Sequence, residues 1–509
     1  MILNSKKMRK YISILLAAFL FFGCGPGDDL ILLNYSEYQM SVNEVFKLKA
    51  TSTLQGTLEW SSTNPEVAKV FYGEVTALSV GKADIIAKIG NASAVCHVTV
   101  GAAPVIATQK RSEKRGVSFN LSQLADVKVL APGISWYYNW GNTISEYFDG
   151  IITENNIMFI PMFWNGVDSA SCARVRTLKL RHPELEYILG FNEPNLADQA
   201  KMTPAECAPK WMQLVALAQD LNMKLVSPAM NYGTLPGYGD PIKWLDEFFT
   251  LVPLSSCDVI AIHCYMPNST GIINFTNMFR KYGKPIWMTE FCAWNGLGGG
   301  EKGQMNYASE VINFFEADPQ IGKYAWFIPR GGDGDGAFPH NKLLKFKEPK
   351  LLPLGEIYIN ASTQDKTSWA NVGERIESER FTSCSVQEHI ESGYTSEVLN
   401  FQYQPTTDRG GSLEICNFLP NRWVEYQLNV AEGGEHELLV RHANYNDITF
   451  EITIDGANAI SAPFPKTGDF NIWKTAKFSV NLEAGKHIIR LKNTGGGAIS
   501  MNWLQFNKK

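Results

Sequence analysis

The sequence is most restrictive in what it lacks. None of its nine cysteines forms a Cys-x-x-Cys pair and no Cys/His group shows zinc-ligand spacing, which excludes a structural zinc knuckle and dithiol redox chemistry. Charge is sparse. Only 19% of the 509 residues are charged, the formal net charge is -5, and no basic stripe exists to displace phosphate counterions, so a nucleic-acid partner is excluded. The apolar run at residues 11–22 is too short to span a bilayer stably. Apart from Cys24, the thiols Cys96, Cys172, Cys207, Cys257, Cys264, Cys292, Cys384 and Cys416 read as mostly free and buried, because domains of this size need no disulfide staple. Should export oxidise some of them, their pairing is not legible.

The N-terminal residues are a targeting segment rather than part of a fold. Lys6, Lys7, Arg9 and Lys10 precede the apolar run, which ends at Phe21-Phe22-Gly23-Cys24. That ending resembles a bacterial lipobox, which implies a signal peptide over residues 1–24 and a lipidated Cys24 as the first mature residue. The rival reading is an ordinary cleaved secretory signal. The acidic tether Gly25-Pro26-Gly27-Asp28-Asp29 resembles the surface-export signal of Bacteroidetes-type lipoproteins. The expectation is an exported lipoprotein, held in the outer membrane by its lipid and facing the cell surface.

The chain is too long for a single core, so three domains, or two, are expected. Residues 25–104 alternate short strands with turn residues. Examples are Gly73-Glu74-Val75-Thr76-Ala77-Leu78 and Val95-Cys96-His97-Val98-Thr99-Val100, a pattern that predicts a small β-sandwich. It resembles a bacterial Ig-like group 2 domain and carries no chemistry. From 112 to 362 the pattern changes to apolar strands separated by helical stretches. Eight runs are countable, at residues 117–120, 134–140, 157–164, 187–193, 224–230, 259–265, 285–291 and 324–329. Thr203-Pro204-Ala205-Glu206 is a capping box ahead of Trp211, Leu214, Val215 and Ala218 at helical spacing, and residues 353–359 read as a closing helix. Eight continuous apolar strands with helices between them predict a (β/α)8 TIM barrel. Residues 372–509 are strand-rich again and predict a second β-sandwich, of jelly-roll type.

Two stretches carry the chemistry. Gly190-Phe191-Asn192-Glu193-Pro194-Asn195 ends the fourth run and Trp287-Met288-Thr289-Glu290-Phe291 ends the seventh, so a barrel would bring Glu193 and Glu290 to one rim. Paired carboxylates are what glycosidic bond cleavage needs, retaining at about 5–5.5 Å separation and inverting at about 6.5–9.5 Å. Pro194 is expected to keep Glu193 out of the αR region and hold it extended. Asn192 is placed to hydrogen-bond a sugar hydroxyl or the nucleophile.

Together with Tyr324-Ala325-Trp326-Phe327, these two stretches resemble glycoside hydrolase family 128, a clan A family of β-1,3-glucanases; the likeness covers roughly residues 115–360. The resemblance implies Glu193 as general acid/base and Glu290 as nucleophile of a retaining double displacement with no catalytic cofactor. The substrate implied is a β-glucan polysaccharide.

Aromatics make up 12% of the chain, which suits stacking on sugar rings. Trp136, Tyr138, Trp140, Trp164, Trp294 and Trp326 sit at or beyond strand ends and are the candidate subsite residues, with about half expected to touch substrate because alternation sends neighbours to opposite layers. His263 and Tyr265 share one face of the sixth strand, and Asn139 and Asn231, also at strand ends, are weaker polar candidates. Asp333 and Asp335 lack the full spacing of a calcium loop and read as a flexible rim loop.

Residues 374–506 resemble a family 6 carbohydrate-binding module through Ile376-Glu377-Ser378-Glu379, Trp423-Val424-Glu425-Tyr426 and the segment around Asn502-Trp503. The resemblance implies a structural calcium ion held by Glu377 or Glu379, with Asn502 as a further partner. The Gly-Tyr that usually precedes the second motif is replaced here by Leu413-Glu414-Ile415-Cys416-Asn417, leaving Phe470 or Trp473 as the sugar platform. The expected molecule is a monomeric, membrane-anchored endo-β-1,3-glucanase. The rivals are another clan A activity, such as a β-1,4-glycanase, and a lipoprotein that captures glycan without cutting it.

Overall fold

The computed structural model describes residues 30–293, 300–331, 340–391 and 401–509. Cys24 with the whole targeting segment, Trp294, Asp333 and Asp335 lie outside the described residues. The chain divides into two compact units, one ending at Pro104 and the other running from Val105 to Lys509.

In the first unit, strand Gly81–Ile89 buries every second residue along most of its length, as a sheet with one packed face must. It pairs antiparallel with Ala92–Gly101 and Glu59–Ser62, and Glu37–Ser41 joins Ala92–Gly101 in parallel. A second sheet comprises Val45–Lys47, Glu74–Ala77 and Ala68–Phe71. The two sheets share a core of Tyr38, Phe46, Val75, Ile85 and Val98.

The second unit opens with eight strands: β1 (Arg115–Ser118), β2 (Trp136–Tyr138), β3 (Met158–Phe159), β4 (Tyr187–Leu189), β5 (Lys224–Val226), β6 (Ile260–Cys264), β7 (Ile286–Phe291) and β8 (Ile321–Trp326). Between them lie helices α1 (Leu124–Leu130), α2 (Glu146–Glu154), α3 (Ser169–Arg181), α4 (Pro204–Leu221), α5 (Pro241–Leu251), α6 (Ser269–Met278) and α7 (Gly300–Ala317), and α8 (Pro353–Asn360) follows β8. All pairings are parallel. β3, β2, β1, β8, β7 and β6 form one ladder and β4 and β5 another, while bridges Met162↔Leu189 and Val226↔Val259 join the two into a closed ring. Strands buried on both faces explain why the runs read as continuously apolar; β6 and β7 have no exposed residue. α4 begins with the expected capping box, Thr203 Oγ1 accepting from the Glu206 N–H and the Glu206 carboxylate accepting from the Thr203 N–H.

The ring is filled at its N-terminal end by Trp136 and Trp287, whose ring centres lie 5.7 Å apart. Glycines make the room. A Cβ on Gly116 would meet the Trp136 indole at 2.6 Å, and one on Gly322 would meet Trp287 Nε1 at 2.6 Å. The Lys323 ammonium lies 5.7 and 5.6 Å from the two ring centres, over both indoles.

β1 starts earlier than expected because its first residue is a buried charge, which an apolar pattern does not mark. Arg115 donates to the Tyr324 hydroxyl at 2.8 Å, to Glu316 Oε1 at 3.1 Å and to the carbonyls of Tyr358 and Ser362. One guanidinium thus ties the first strand to β8, α7 and the end of α8. The eight described cysteines are all free, Cys172 and Cys416 partly exposed and the others buried.

Beyond residue 370 the chain forms two mostly antiparallel sheets. One holds Trp423–Val430, Gly485–Gly495, Ile448–Ile454 and Ala457–Phe464; the other holds β9 (Gln402–Pro405), Leu413–Phe418, Ile499–Lys508, Gly434–Ala443 and Lys474–Leu482. Phe381, Tyr403 and Phe418 belong to the same continuous apolar core as the outer layer of the ring.

Replacing Arg115 by Met should strand the Glu316 carboxylate and cost about 3–5 kcal/mol, the usual effect of breaking a buried ion pair from one side. Urea unfolding of the two proteins checks this, and a loss within experimental error would show that the hub is dispensable.

Candidate active site

Trp136 and Tyr138 share one face of β2, and Trp140 follows two residues past its end, so three aromatics climb from floor to rim. Their ring centres step 6.2 Å from Trp136 to Tyr138 and 5.7 Å from Tyr138 to Trp140. Trp136 is fully buried, donates to the Lys114 carbonyl and takes no part in the cleft, which corrects its assignment as a subsite residue. Tyr138 is also fully buried, but its hydroxyl donates to Glu290 Oε1 at 2.8 Å. Trp140, at the rim, donates from Nε1 to the same oxygen at 2.7 Å.

Glu290 sits inside β7, next to a register shift between Met288 and Phe291, and faces His263 across the ladder. Its second oxygen accepts from the Tyr265 hydroxyl, and His263 Nδ1 lies 3.5 Å away. Burial and the Glu290 charge push the Tyr138 and Tyr265 phenols far above their ordinary range, so both remain donors.

Glu193 lies past the end of β4, where the bridge Asn192↔Ala229 continues the pairing. It is not extended. Its φ is +46°, in the left-handed region, because a turn closes there with the Leu196 N–H donating to the Glu193 carbonyl at 3.0 Å. Pro194 excludes only the αR alternative, and such a backbone costs about 1–3 kcal/mol, a form of strain found mostly at functional sites. Glu193 Oε1 is 2.9 Å from His263 Nδ1 and accepts from Asn231 Nδ2 at 3.0 Å. Burial raises the Glu193 carboxyl, but the His263 charge and the hydrogen bonds from His263 and Asn231 outweigh it, and the net shift is downward. His263 is fully enclosed, which favours its neutral form; the charges of Glu290 and Glu193 and the Glu193 hydrogen bond win, and its net shift is upward.

The two carboxylates and the imidazole each place one atom within 4.8 Å of the others. The two carboxylates border a cleft of about 430 Å³, lined also by Trp140, Trp164, Asn192, Asn231 and Tyr265, with His263 buried behind them. Leu196, Asp198, Gln199 and Phe327 complete the wall and were not among the residues expected from sequence. Alternation on β8 could have found Phe327. Ala325 faces the ring interior and Trp326 the helix layer, so the next residue returns to the inside. By the same count Trp326 is corrected out of the cleft: it is fully buried and donates to the Asn341 carbonyl. Asn192 donates to Gln199 Oε1 at 3.2 Å, and Asn139 caps its own turn by accepting from the Gly141 N–H.

A second cluster lies in the C-terminal sandwich. Glu377, Glu379 and Asn502 are buried, and Oε2 of each glutamate and Oδ1 of Asn502 have no hydrogen-bond partner. The Glu377 and Asn502 oxygens converge on Gly411, where an added Cβ would meet both at 2.7 Å. Burial and the neighbouring Glu377 charge push the Glu379 carboxyl up to about 8. Orphaned buried oxygens are what a hard cation takes as ligands. Trp473 donates to Thr407 Oγ1, and Phe470 packs edge-on against Tyr445, a half-exposed ring that sequence reading passed over.

Residues 116–358 match the family model described as glycosyl hydrolase catalytic core, and residues 395–508 match that of carbohydrate binding module family 6. A 244-residue stretch, 45% of this chain, is 26% identical to alkali-sensitive linkage protein 1 of Schizosaccharomyces pombe and covers 40% of that protein. Similar solved structures include a GH128 (subgroup II) endo-beta-1,3-glucanase from Pseudomonas viridiflava, 34% identical over 49% of this chain and 98% of that one, with a TM-score of 0.45. Another, from Sorangium cellulosum, is 33% identical over 48% of this chain and 97% of that one, with a TM-score of 0.43.

The two opposed shifts set a pH window for stability. What Glu193 contributes is present above the ordinary carboxylate range and is lost as pH falls through its lowered value. What His263 contributes is present below the ordinary imidazole range and is lost as pH rises through its raised value. His263→Gln should therefore raise the Glu193 ionisation midpoint, read by carbon NMR of labelled glutamate. An unmoved midpoint would mean that the imidazole charge does not set it.

Proposed function

We propose that this chain, a glycoside hydrolase with a carbohydrate-binding module behind its catalytic core, cleaves internal β-1,3 links of glucans such as laminarin and retains the anomeric configuration. The observation that supports the mechanism is that one oxygen of Glu193 and one of Glu290 lie within 4.8 Å of each other, so that both carboxylates can reach a single anomeric centre. We read the closed ring as a (β/α)8 barrel of family 128 type, with both glutamates at its C-terminal rim. The β-1,3 linkage rests on the motif resemblance at the two strand ends.

Glu290, held by the Tyr138, Trp140 and Tyr265 donors, attacks the anomeric carbon as Glu193 passes its proton to the departing glycosidic oxygen. The carbon–oxygen link breaks and a glycosyl ester to Glu290 forms. Water then attacks the same carbon, Glu193 takes its proton, and the ester breaks to restore the Glu290 carboxylate. Glu193 must hold a proton to begin, yet His263 keeps it ionised in the empty cleft. A sugar over the pocket deepens the burial that opposes that ionisation, and His263 Nδ1, 2.9 Å from Glu193 Oε1, is the group placed to exchange the proton with it. Donors already face both carboxylates where a cation would need bare oxygens, which supports proton chemistry rather than a catalytic metal.

The same proposal extends to the rest of the chain. The first unit is an Ig-like spacer, Cys24 carries the lipid anchor of a monomeric surface lipoprotein, and the Glu377, Glu379 and Asn502 oxygens hold a structural calcium ion.

Glu290→Ala should abolish reducing-end release from laminarin, while binding to the polymer is largely kept. Proton NMR of the wild-type reaction should show the β-anomer first; the α-anomer first would exclude double displacement. Faster cleavage of a β-1,4-glucan would overturn the linkage, and no release from any glucan by the wild type would favour capture without cutting. Chelation by EGTA should lower the melting temperature and calcium should restore it. An unchanged melting curve removes the calcium proposal.

A further inference from the structure

The C-terminal sandwich is connected to the nucleophile strand by side-chain contacts that a freely tethered glycan module would not need. Its strand β9 lies along α7. The Tyr403 hydroxyl donates to Asn313 Oδ1 at 2.5 Å, the Tyr403 N–H donates to Ser309 Oγ at 3.1 Å, and Gln402 Nε2 donates to Glu310 Oε1 at 3.3 Å. Ser309, Asn313 and Tyr403 are essentially inaccessible to solvent, so these are interior bonds rather than chance surface contacts.

From α7 two links run to the rim. Near the start of the helix, the Gln304 amide grips Ala293 at both polar atoms: Oε1 accepts from the Ala293 N–H and Nε2 donates to the Ala293 carbonyl, each at 3.0 Å. Ala293 lies three residues beyond Glu290. Along the helix, Glu310 uses its other oxygen to accept from Ser269 Oγ at 2.5 Å, and Ser269 opens the helix that follows Tyr265 and His263. The helix that fixes the ends of β6 and β7 is therefore itself fixed, on its outer side, by the sandwich.

We propose that the C-terminal module acts as a positioning clamp for the catalytic centre, with Gln402 and Tyr403 setting α7 and, through Gln304 and Glu310, the segments that carry Glu290 and Tyr265. This rests on the reading of Glu290 as the nucleophile. A clamp and a targeting module differ in what they affect. Targeting raises the local concentration of polymer and leaves a short soluble oligosaccharide untouched. A clamp acts on the geometry of the reacting groups whatever the length of the substrate.

The test uses the full chain carrying Gln402→Ala and Tyr403→Phe together, assayed on soluble laminarihexaose well below the melting temperature, beside Glu290→Ala. The clamp predicts a fall in kcat of about tenfold, short of the roughly hundredfold that a full ångström of misplacement costs, with KM within about twofold. It also predicts faster amide hydrogen exchange at Ala293 and in the first turn of α6 in the folded variant. Should the double variant fold poorly, Tyr403→Phe alone, which removes a single hydroxyl, is expected to show the same exchange signature and a smaller loss of kcat. Unchanged kcat with unchanged protection at Ala293, or a defect confined to insoluble glucan, overturns the clamp. Turnover surviving in Glu290→Ala overturns the nucleophile reading instead, whatever the clamp variants do.

Discussion

Two buried carboxylates with oxygens inside 4.8 Å repel each other by an amount on the order of a few kcal/mol, and the architecture of the catalytic unit answers that repulsion. The answer comes from separate elements. β2 sends Tyr138 with the rim Trp140 just past its end, β6 sends His263 with Tyr265 just past its end, and the segment after β5 sends Asn231. Each contributes a donor that lies too far from the others in sequence to be recognised as part of a set. Only the closed ring brings them together, and Arg115 helps to fasten that ring at its opposite end.

Much of this was legible before any coordinates, and the reasons are specific. Glu193 and Glu290 stood out because each ends an apolar run, and a charge at the close of a buried strand has few structural excuses. His263 and Tyr265 followed from period-two spacing on β6. The aromatics were harder. Trp136 and Trp326 carry the same residue type as Trp140 and Trp164, and what separates them is depth along a strand and which layer a side chain enters. A continuous apolar run conceals both, since strands buried on each face show no alternation. The left-handed turn at Glu193 was hidden for another reason: Pro194 rules out one backbone region without choosing between the two that remain.

Fusion of the C-terminal sandwich to the ring was also invisible in sequence, because its strands read as an independent domain with its own motifs. The apolar core nevertheless runs without a break from the helix layer of the ring into the sandwich. The first unit, by contrast, closes its own core around Phe46 and Ile85. Motif boundaries and packing boundaries therefore differ within this chain, and residues 105–509 form one compact unit.

The indole floor has a consequence for traffic. Trp136 and Trp287, spanned by Lys323, stop the ring at its N-terminal end, so among the described residues the cleft opens on one side only. A chain longer than the cavity cannot be threaded through. Under the proposed reaction a glucan is laid across the mouth, cut there and lifted away, and the water that completes the reaction uses the same door as the fragments that leave.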